Sequence, residues 1–348
     1  MIQYDNEIIK EDMDWICSAE LPWEDLRGAK ILLTGATGLI GGNILRALLC
    51  AGKQKDLQLQ VFAVVRSLKK AEALFPHLRE ETCVTFLAGS MENLPQLPGR
   101  IDYIIHGACP TTSTYMVARP ADVIRTSVQG TMSLLDAGRN SGCKGFVFLS
   151  SMEAYGTVRE ETELTEDILG TIDLLNVRSC YPESKRMCEM LCTSYAVQYG
   201  MRAMSIRLAQ TFGPGIEYDD SRVFAMMARC AIEGRDIVLA TKGTSRRPYL
   251  YTAQAVTAIL TVLLKGESGE TYNAANPATY CSVYEMGEMV AERFAQGKIR
   301  VLVDEEGDAS RYPAPSYLKL NADKLMRLGW KPEGDLVYMY ERLAKTMK

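Results

Sequence analysis

The residues best suited to acid–base chemistry are Tyr181 and Lys185, in the run Tyr181-Pro182-Glu183-Ser184-Lys185. Their i, i+4 spacing puts a phenol and an ammonium on one helix face. A cation beside a phenol favours the phenolate, which makes Tyr181 a candidate base near neutral pH. About 30 positions upstream, Phe148-Leu149-Ser150-Ser151 reads as a strand end, and strand ends are where ligands bind in open α/β sheets. Ser151 is thereby placed to hydrogen-bond the oxygen that Tyr181 deprotonates.

A second constellation precedes it. Ile31-Leu32-Leu33-Thr34-Gly35-Ala36-Thr37-Gly38-Leu39-Ile40-Gly41 is a strand, three glycines spaced by three, and the start of a helix. Gly35 permits a tight turn, Gly38 lets backbone approach a pyrophosphate, and Gly41 lets the helix pack on the strand. The first amides of that helix then face phosphates. The spacing is GxxGxxG rather than the commoner GxGxxG. The next strand ends Val64-Val65-Arg66-Ser67, with no carboxylate for the ribose hydroxyls of NAD. Arg66 either receives a 2′-phosphate, which favours NADP, or is a solvated loop arginine.

These residues need a scaffold, and the hydrophobic pattern supplies one. Apolar runs at 30–34, 59–65, 84–88, 103–108, 146–151 and 202–208 alternate with helical stretches at 41–50, 120–141 and 181–199. That alternation predicts an α/β fold, a Rossmann-type doubly wound parallel sheet buried on both faces. After Gly213-Pro214-Gly215 the elements shorten and mix, as expected of a smaller α/β C-terminal substrate domain. Ser282-Val283-Tyr284-Glu285 is a capping box, and Asn321 caps a further helix ended by Gly329. The expected division is a helical extension over 1–28, a cofactor domain over 29–210 and a substrate domain over 211–348. Residues 236–262 are candidates to return to the first domain.

Composition narrows the function classes. The chain has 348 residues, a net charge of −4, ten cysteines and two histidines. There is no basic excess for a nucleic-acid partner and no CxxC pair or histidine cluster for a metal. The start lacks a signal-peptide pattern, and no apolar stretch spans a bilayer, so a cytoplasmic protein with reduced thiols and no membrane partner is expected. His106, Cys188 and Cys192 read as packed residues, and Cys109 lacks a partner that would mark it as a nucleophile.

Taken together, the chain resembles the extended short-chain dehydrogenase/reductase family, in its epimerase/dehydratase group, over about residues 29–332. Beyond the motifs above, the resemblance rests on Asp102–Ala108, Ser127-Val128-Gln129-Gly130-Thr131, Ser151-Met152-Glu153-Ala154-Tyr155-Gly156, Arg207–Pro214 and Tyr272-Asn273. Within the group it looks most like UDP-glucuronate decarboxylases, on Ser151-Met152-Glu153, Asp220-Ser221-Arg222-Val223 and Ser245-Arg246-Arg247-Pro248-Tyr249. The resemblance implies NAD or NADP held by Gly35, Thr37, Gly38, Leu39, Ile40, Gly41, Arg66, Ala108, Tyr181 and Lys185. It implies a nucleotide sugar altered through a 4-keto intermediate by Ser151, Tyr181, Lys185 and Glu153, with Gln210, Arg222, Arg247 and Arg311 on the substrate, and a homodimer. Lys185 would bind the nicotinamide ribose and lower the pKa of Tyr181. Met152 replaces an aspartate of the 4,6-dehydratases, and a thioether supplies no proton, which disfavours 4,6-dehydration. Decarboxylation and epimerisation both remain open. An NADPH-dependent reductase of a keto-sugar or other carbonyl also remains, as does a non-catalytic Rossmann binding protein.

Overall fold

Seven apolar runs meet in one parallel sheet: β1 (Lys30–Thr34), β2 (Gln60–Val65), β3 (Val84–Ala88), β4 (Tyr103–His106), β5 (Gly145–Ser151), β6 (Ala203–Leu208) and β7 (Thr271–Ala274). The computed structural model describes residues 6–304 and 315–347. The strand order is β3-β2-β1-β4-β5-β6-β7. β4 and β6 are buried at every residue, and β5 at every residue but Ser151, because helices cover both faces. The predicted Rossmann-type α/β fold is therefore present. After β3 the chain returns to lay β4 beside β1, pairing Thr34 with His106. The order reverses there, and ligands of such sheets bind in the crevice beyond the strand ends at that switch.

The longer helices are α1 (Glu7–Ser18), α2 (Leu39–Gln54), α3 (Gly130–Ser141), α4 (Cys180–Tyr199), α5 (Val223–Glu233), α6 (Thr252–Lys265), α7 (Val283–Phe294) and α8 (Leu336–Thr346). The helical stretch expected over 120–141 is not continuous. A short helix, Pro120–Ile124, is followed by a widened turn of π-helix, Arg125–Gln129, before α3. α6 is buried at every residue except Lys265, since it lies between α1 and α2 on one side and β5 and β6 on the other. An all-round apolar helix needs such a place.

The remaining strands form small sheets. Gln210–Phe212 runs parallel to Arg246–Tyr251, which pairs antiparallel with Asn276–Ser282. Ile237–Leu239 pairs with Val301–Val303. The segment that rejoins the main sheet is β7, reached through α6. Ser282 and Glu285 complete the capping box of α7, and Asn321 accepts from the amide of Asp323 at the start of helix Asp323–Met326.

α1 is tied on by packing and charge. Asn6 caps it, and Ile9, Met13, Ile16 and Cys17 are buried, each apolar side chain contributing about 1.5–3 kcal/mol relative to exposure. Asp12 accepts from Tyr251 Oη at 2.7 Å and from Arg342 Nη2 of α8 at 2.6 Å. Arg342 Nε donates to Tyr251 Oη at 2.8 Å.

Candidate active site

The glycine loop is closed by backbone against backbone. Gly35 has φ +80°, and a Cβ there would lie 2.8 Å from the carbonyl carbon of Gly107. A Cβ on Gly41 would lie 2.2 Å from Gly35 O, which makes side chains impossible without moving the loop. Gly38 is exposed and precedes α2 with no side-chain cap, leaving the first-turn amides directed outward from the crevice floor. Thr37, Leu39 and Ile40 are half-buried around it, and Ala108 lies at the facing end of β4. Arg66 is exposed just past β2. Burial raises the Glu92 carboxyl, but hydrogen bonds from Thr126, its backbone and Ser90, with Arg66 nearby, bring it below the usual range.

Beneath the loop runs a directed hydrogen-bond chain. Thr34 Oγ1 accepts from the amides of Gly107 and Ala108, each at 3.2 Å. Its proton is therefore free for His106 Nδ1 at 2.8 Å. His106 Nε2 then donates to Thr131 Oγ1 at 3.1 Å, Thr131 to Cys188 Sγ at 3.2 Å, and Cys188 to Ser127 O at 3.3 Å. Burial and Lys185 push His106 down to about 3, so the ring is neutral. Its donor pattern assigns the proton to Nε2. His106 is thus a hydrogen-bonded structural residue tying β1, β4, α3 and α4.

α4 carries the remaining groups in one stripe. Tyr181 lies in its first turn, Lys185 one turn on and Glu189 one turn further. Lys185 Nζ donates to Leu149 O at 2.7 Å and stands 5.5 Å from the Tyr181 ring centroid. Glu189 accepts from Arg207 Nη2 of β6 at 2.8 Å and from Ser150 Oγ of β5 at 2.5 Å. Ser151 ends β5 and its Oγ accepts from the Glu153 amide at 3.1 Å, capping the turn Met152–Tyr155. The Glu153 carboxylate pairs with Arg178 Nη2 at 2.8 and 3.1 Å, and the Arg178 guanidinium lies 5.6 Å from the Tyr181 ring centroid.

Burial and the surrounding charges both act on Tyr181. Burial pushes the Tyr181 phenol well above its ordinary value, and Cys109 and Glu153 push the same way, while Ser151 and Arg178 oppose them.

The structure brings Ser151, Glu153, Tyr181 and Lys185 together at the β5–α4 junction. Gln210 begins a strand just beyond β6, in register with Tyr249, two positions from Arg247. The Arg247 Nε is buried and has no hydrogen-bond partner among the described residues. Arg222 is exposed and held by Asp220 at 2.6 Å, so its charge is already matched. Arg311 lies outside the described residues. Arg178, Glu189 and Arg207 were not singled out from the sequence as site residues. The continuing i+4 spacing signals Glu189, whereas Arg178 belongs to the turn Val177–Ser179 and nothing local marks it.

The model of the NAD dependent epimerase/dehydratase family matches residues 31–275. The chain belongs to that family. It is accordingly an NAD-dependent enzyme of the nucleotide-sugar-modifying group. UDP-glucuronic acid decarboxylase 6 of Arabidopsis thaliana is 27% identical over 308 residues, covering 87% of this chain and 84% of the relative. UDP-glucuronic acid decarboxylase 1 of Xenopus tropicalis is 24% identical, over 91% of this chain and 71% of the relative. The same fold occurs in the dTDP-glucose 4,6-dehydratase of Streptomyces venezuelae, a structure with NAD bound, at a TM-score of 0.73 and 21% identity, over 91% of this chain and 96% of that one. The family's cofactor fits the residues present: a loop pared to glycine where backbone must close, a helix start without a side-chain cap, and small Ala108 opposite. Among the described residues no helix is long and apolar enough to cross a membrane, and all ten cysteines are free.

Proposed function

We propose that this chain decarboxylates a nucleoside diphosphate hexuronate, with UDP-glucuronate the first candidate, through a 4-keto sugar. The observation that carries the reading is the cluster of Ser151, Glu153, Tyr181 and Lys185 around the end of β5, with buried Met152 among them. The cluster has a hydroxyl, a base and cations, but no acid at position 152 to release a C6 hydroxyl. The names of the sequence relatives support the same substrate.

In this reading Gly35, Thr37, Gly38, Leu39, Ile40 and Gly41 hold the pyrophosphate of NAD, Arg66 flanks the adenosine ribose, and Ala108, Tyr181 and Lys185 flank the nicotinamide half. NAD, when bound, supplies a reversible hydride acceptor for C4 of the sugar. Ser151 hydrogen-bonds the 4-hydroxyl while Tyr181 takes its proton. A ketone at C4 makes a C6 carboxylate that of a β-keto acid, which loses CO₂. Glu153 is the acid/base group beside Ser151. Arg247, with its buried Nε unpartnered among the described residues, and Gln210 receive the diphosphate end, since a guanidinium fork suits phosphate. The described portion of 211–348 serves as the sugar side and 29–210 as the cofactor side.

A homodimer and a reducing, cytoplasmic setting complete the proposal. Met132 on α3 and Met187, Met190 and Val197 on α4 are exposed, an apolar stripe on adjacent helices that suits a second copy. Ten free thiols suit a reducing compartment.

The test is incubation of the pure protein and of Tyr181→Phe with UDP-glucuronate and NAD, with products read by mass. Loss of one CO₂ by the wild type and none by the variant is expected. An isomer of unchanged mass would make the enzyme an epimerase, and turnover only with NADPH would make it a reductase.

A further inference from the structure

Tyr181 is faced from several elements. Ser151, Glu153 and Cys109 act on it from the ends of β5 and β4. Lys185 lies on its own helix, donating to Leu149 O with its Nζ 5.5 Å from the ring centroid. The short helix Pro120–Ile124 and the segment before it contribute apolar Val123 and Met116 to the cluster around Tyr181. The charges of that side, Asp122 with Arg119 and Arg125, pair with one another at 3.8 and 3.3 Å. A second cation, Arg178, faces the ring from the turn before the helix, its guanidinium 5.6 Å from the centroid.

We propose that Arg178 is a positioning residue for the base: its guanidinium, clamped by Glu153 beside the Tyr181 ring, is a second cation, besides Lys185, that stabilises the phenolate. The clamp is two-ended. Both Glu153 oxygens accept from Nη2, at 2.8 and 3.1 Å, and Asn176 Oδ1 accepts from the Arg178 amide at 2.9 Å, fixing the turn. The Arg178 side chain is only 26% exposed, so water screens it less than a free surface arginine. The start of α4 adds its amide dipoles in the same sense. Glu153 works in both directions: it orients the guanidinium, and its own charge opposes the phenolate. The pair thus tunes the ionisation of Tyr181 by the balance of two nearby charges of opposite sign, alongside the lysine of the YxxxK run.

The inference rests on Tyr181 being the base of the proposed reaction. Its test is the pH profile of kcat/KM for wild type, Arg178→Gln, Arg178→Lys and Glu153→Gln, with a titration of the Tyr181 phenolic carbon by NMR in the full chain with NAD and no sugar. Removing an opposite charge at this range moves the base limb up by about one pH unit or more. Arg178→Gln is expected to show that shift in both measurements, Arg178→Lys to undo most of it, and Glu153→Gln to shift the NMR titration down. An NMR titration unmoved in Arg178→Gln, or the same in Arg178→Lys as in Arg178→Gln, overturns the proposal. Because the NMR arm needs no sugar, an error in the substrate shows as inactivity of the wild type, separately from any failure of Arg178.

Discussion

Glu189→Leu is expected to destabilise the fold severely, and Glu189→Leu with Arg207→Met to recover most of the loss. The side chains are 9% and 5% exposed, so both charges are out of water. Among the described residues, Glu189 supplies the only carboxylate on the Arg207 guanidinium, which also meets Glu166 O at 2.9 Å and the Tyr155 ring at 4.8 Å. Removing the carboxylate strands a buried cation, which costs about 3–5 kcal/mol. Against a total stability of about 5–15 kcal/mol, that is a large fraction. Replacing both charges with apolar groups of similar volume is often neutral. Urea denaturation followed by circular dichroism reads both variants. With a slope near 3 kcal/mol/M, the single variant's midpoint falls by about 1 M or more. A single variant within 1 kcal/mol of wild type, or a double variant at least as unstable as the single, would refute a desolvated pair that needs both members.

Three further outcomes are expected. Gly41→Ala forces its Cβ to within 2.2 Å of Gly35 O, so the loop must move; NAD affinity by fluorescence titration should fall at least about tenfold while the fold loses about 1–3 kcal/mol, and unchanged affinity would contradict the packing. His106 is held down to about 3 from 6.5. Its stabilising contribution is therefore full above about pH 6.5 and is lost as pH falls toward 3, by on the order of 1.4 kcal/mol per unit. His106→Gln should flatten that part of the stability–pH curve, and an unchanged slope would count against a buried neutral ring. Arg342→Met leaves Asp12 buried with Tyr251 alone, and limited proteolysis should then cut within or just after α1; equal resistance of variant and wild type would show the clasp to be dispensable.

The scaffold was readable because buried parallel strands are short continuous apolar runs and their ends carry glycine. The runs at 30–34 and 84–88 match β1 and β3 residue for residue, and the glycines at 35 and 41 sit where close backbone contact requires them. The readings failed where tertiary context decides. The helical pattern over 120–141 does not reveal the widened turn at Arg125–Gln129, since a single i→i+5 turn is too short to set a hydrophobic period of its own. Residues 237–239 and 249–251 look like sheet strands and are strands, but their partners are 301–303 and 210–212, a matter of long-range pairing. At the site, spacing found Tyr181 and Lys185, but not that Leu149 O would claim the ammonium. Arg178 escaped because its relevance comes from a fold-made neighbour, Glu153, 25 positions away.

The clasp of Asp12 and Arg342 has a kinetic meaning. It joins positions 330 apart in sequence, a contact that needs most of the chain already in place. The entropy of closing so long a loop rises only logarithmically, so the bond is affordable once the sheet exists, but it is among the last to form. Substitutions there should leave the refolding rate nearly unchanged and appear almost wholly as faster unfolding. Asp12, Tyr251 and Arg342 thus set how long the native state persists, while the glycine-bounded strands set how quickly it is reached.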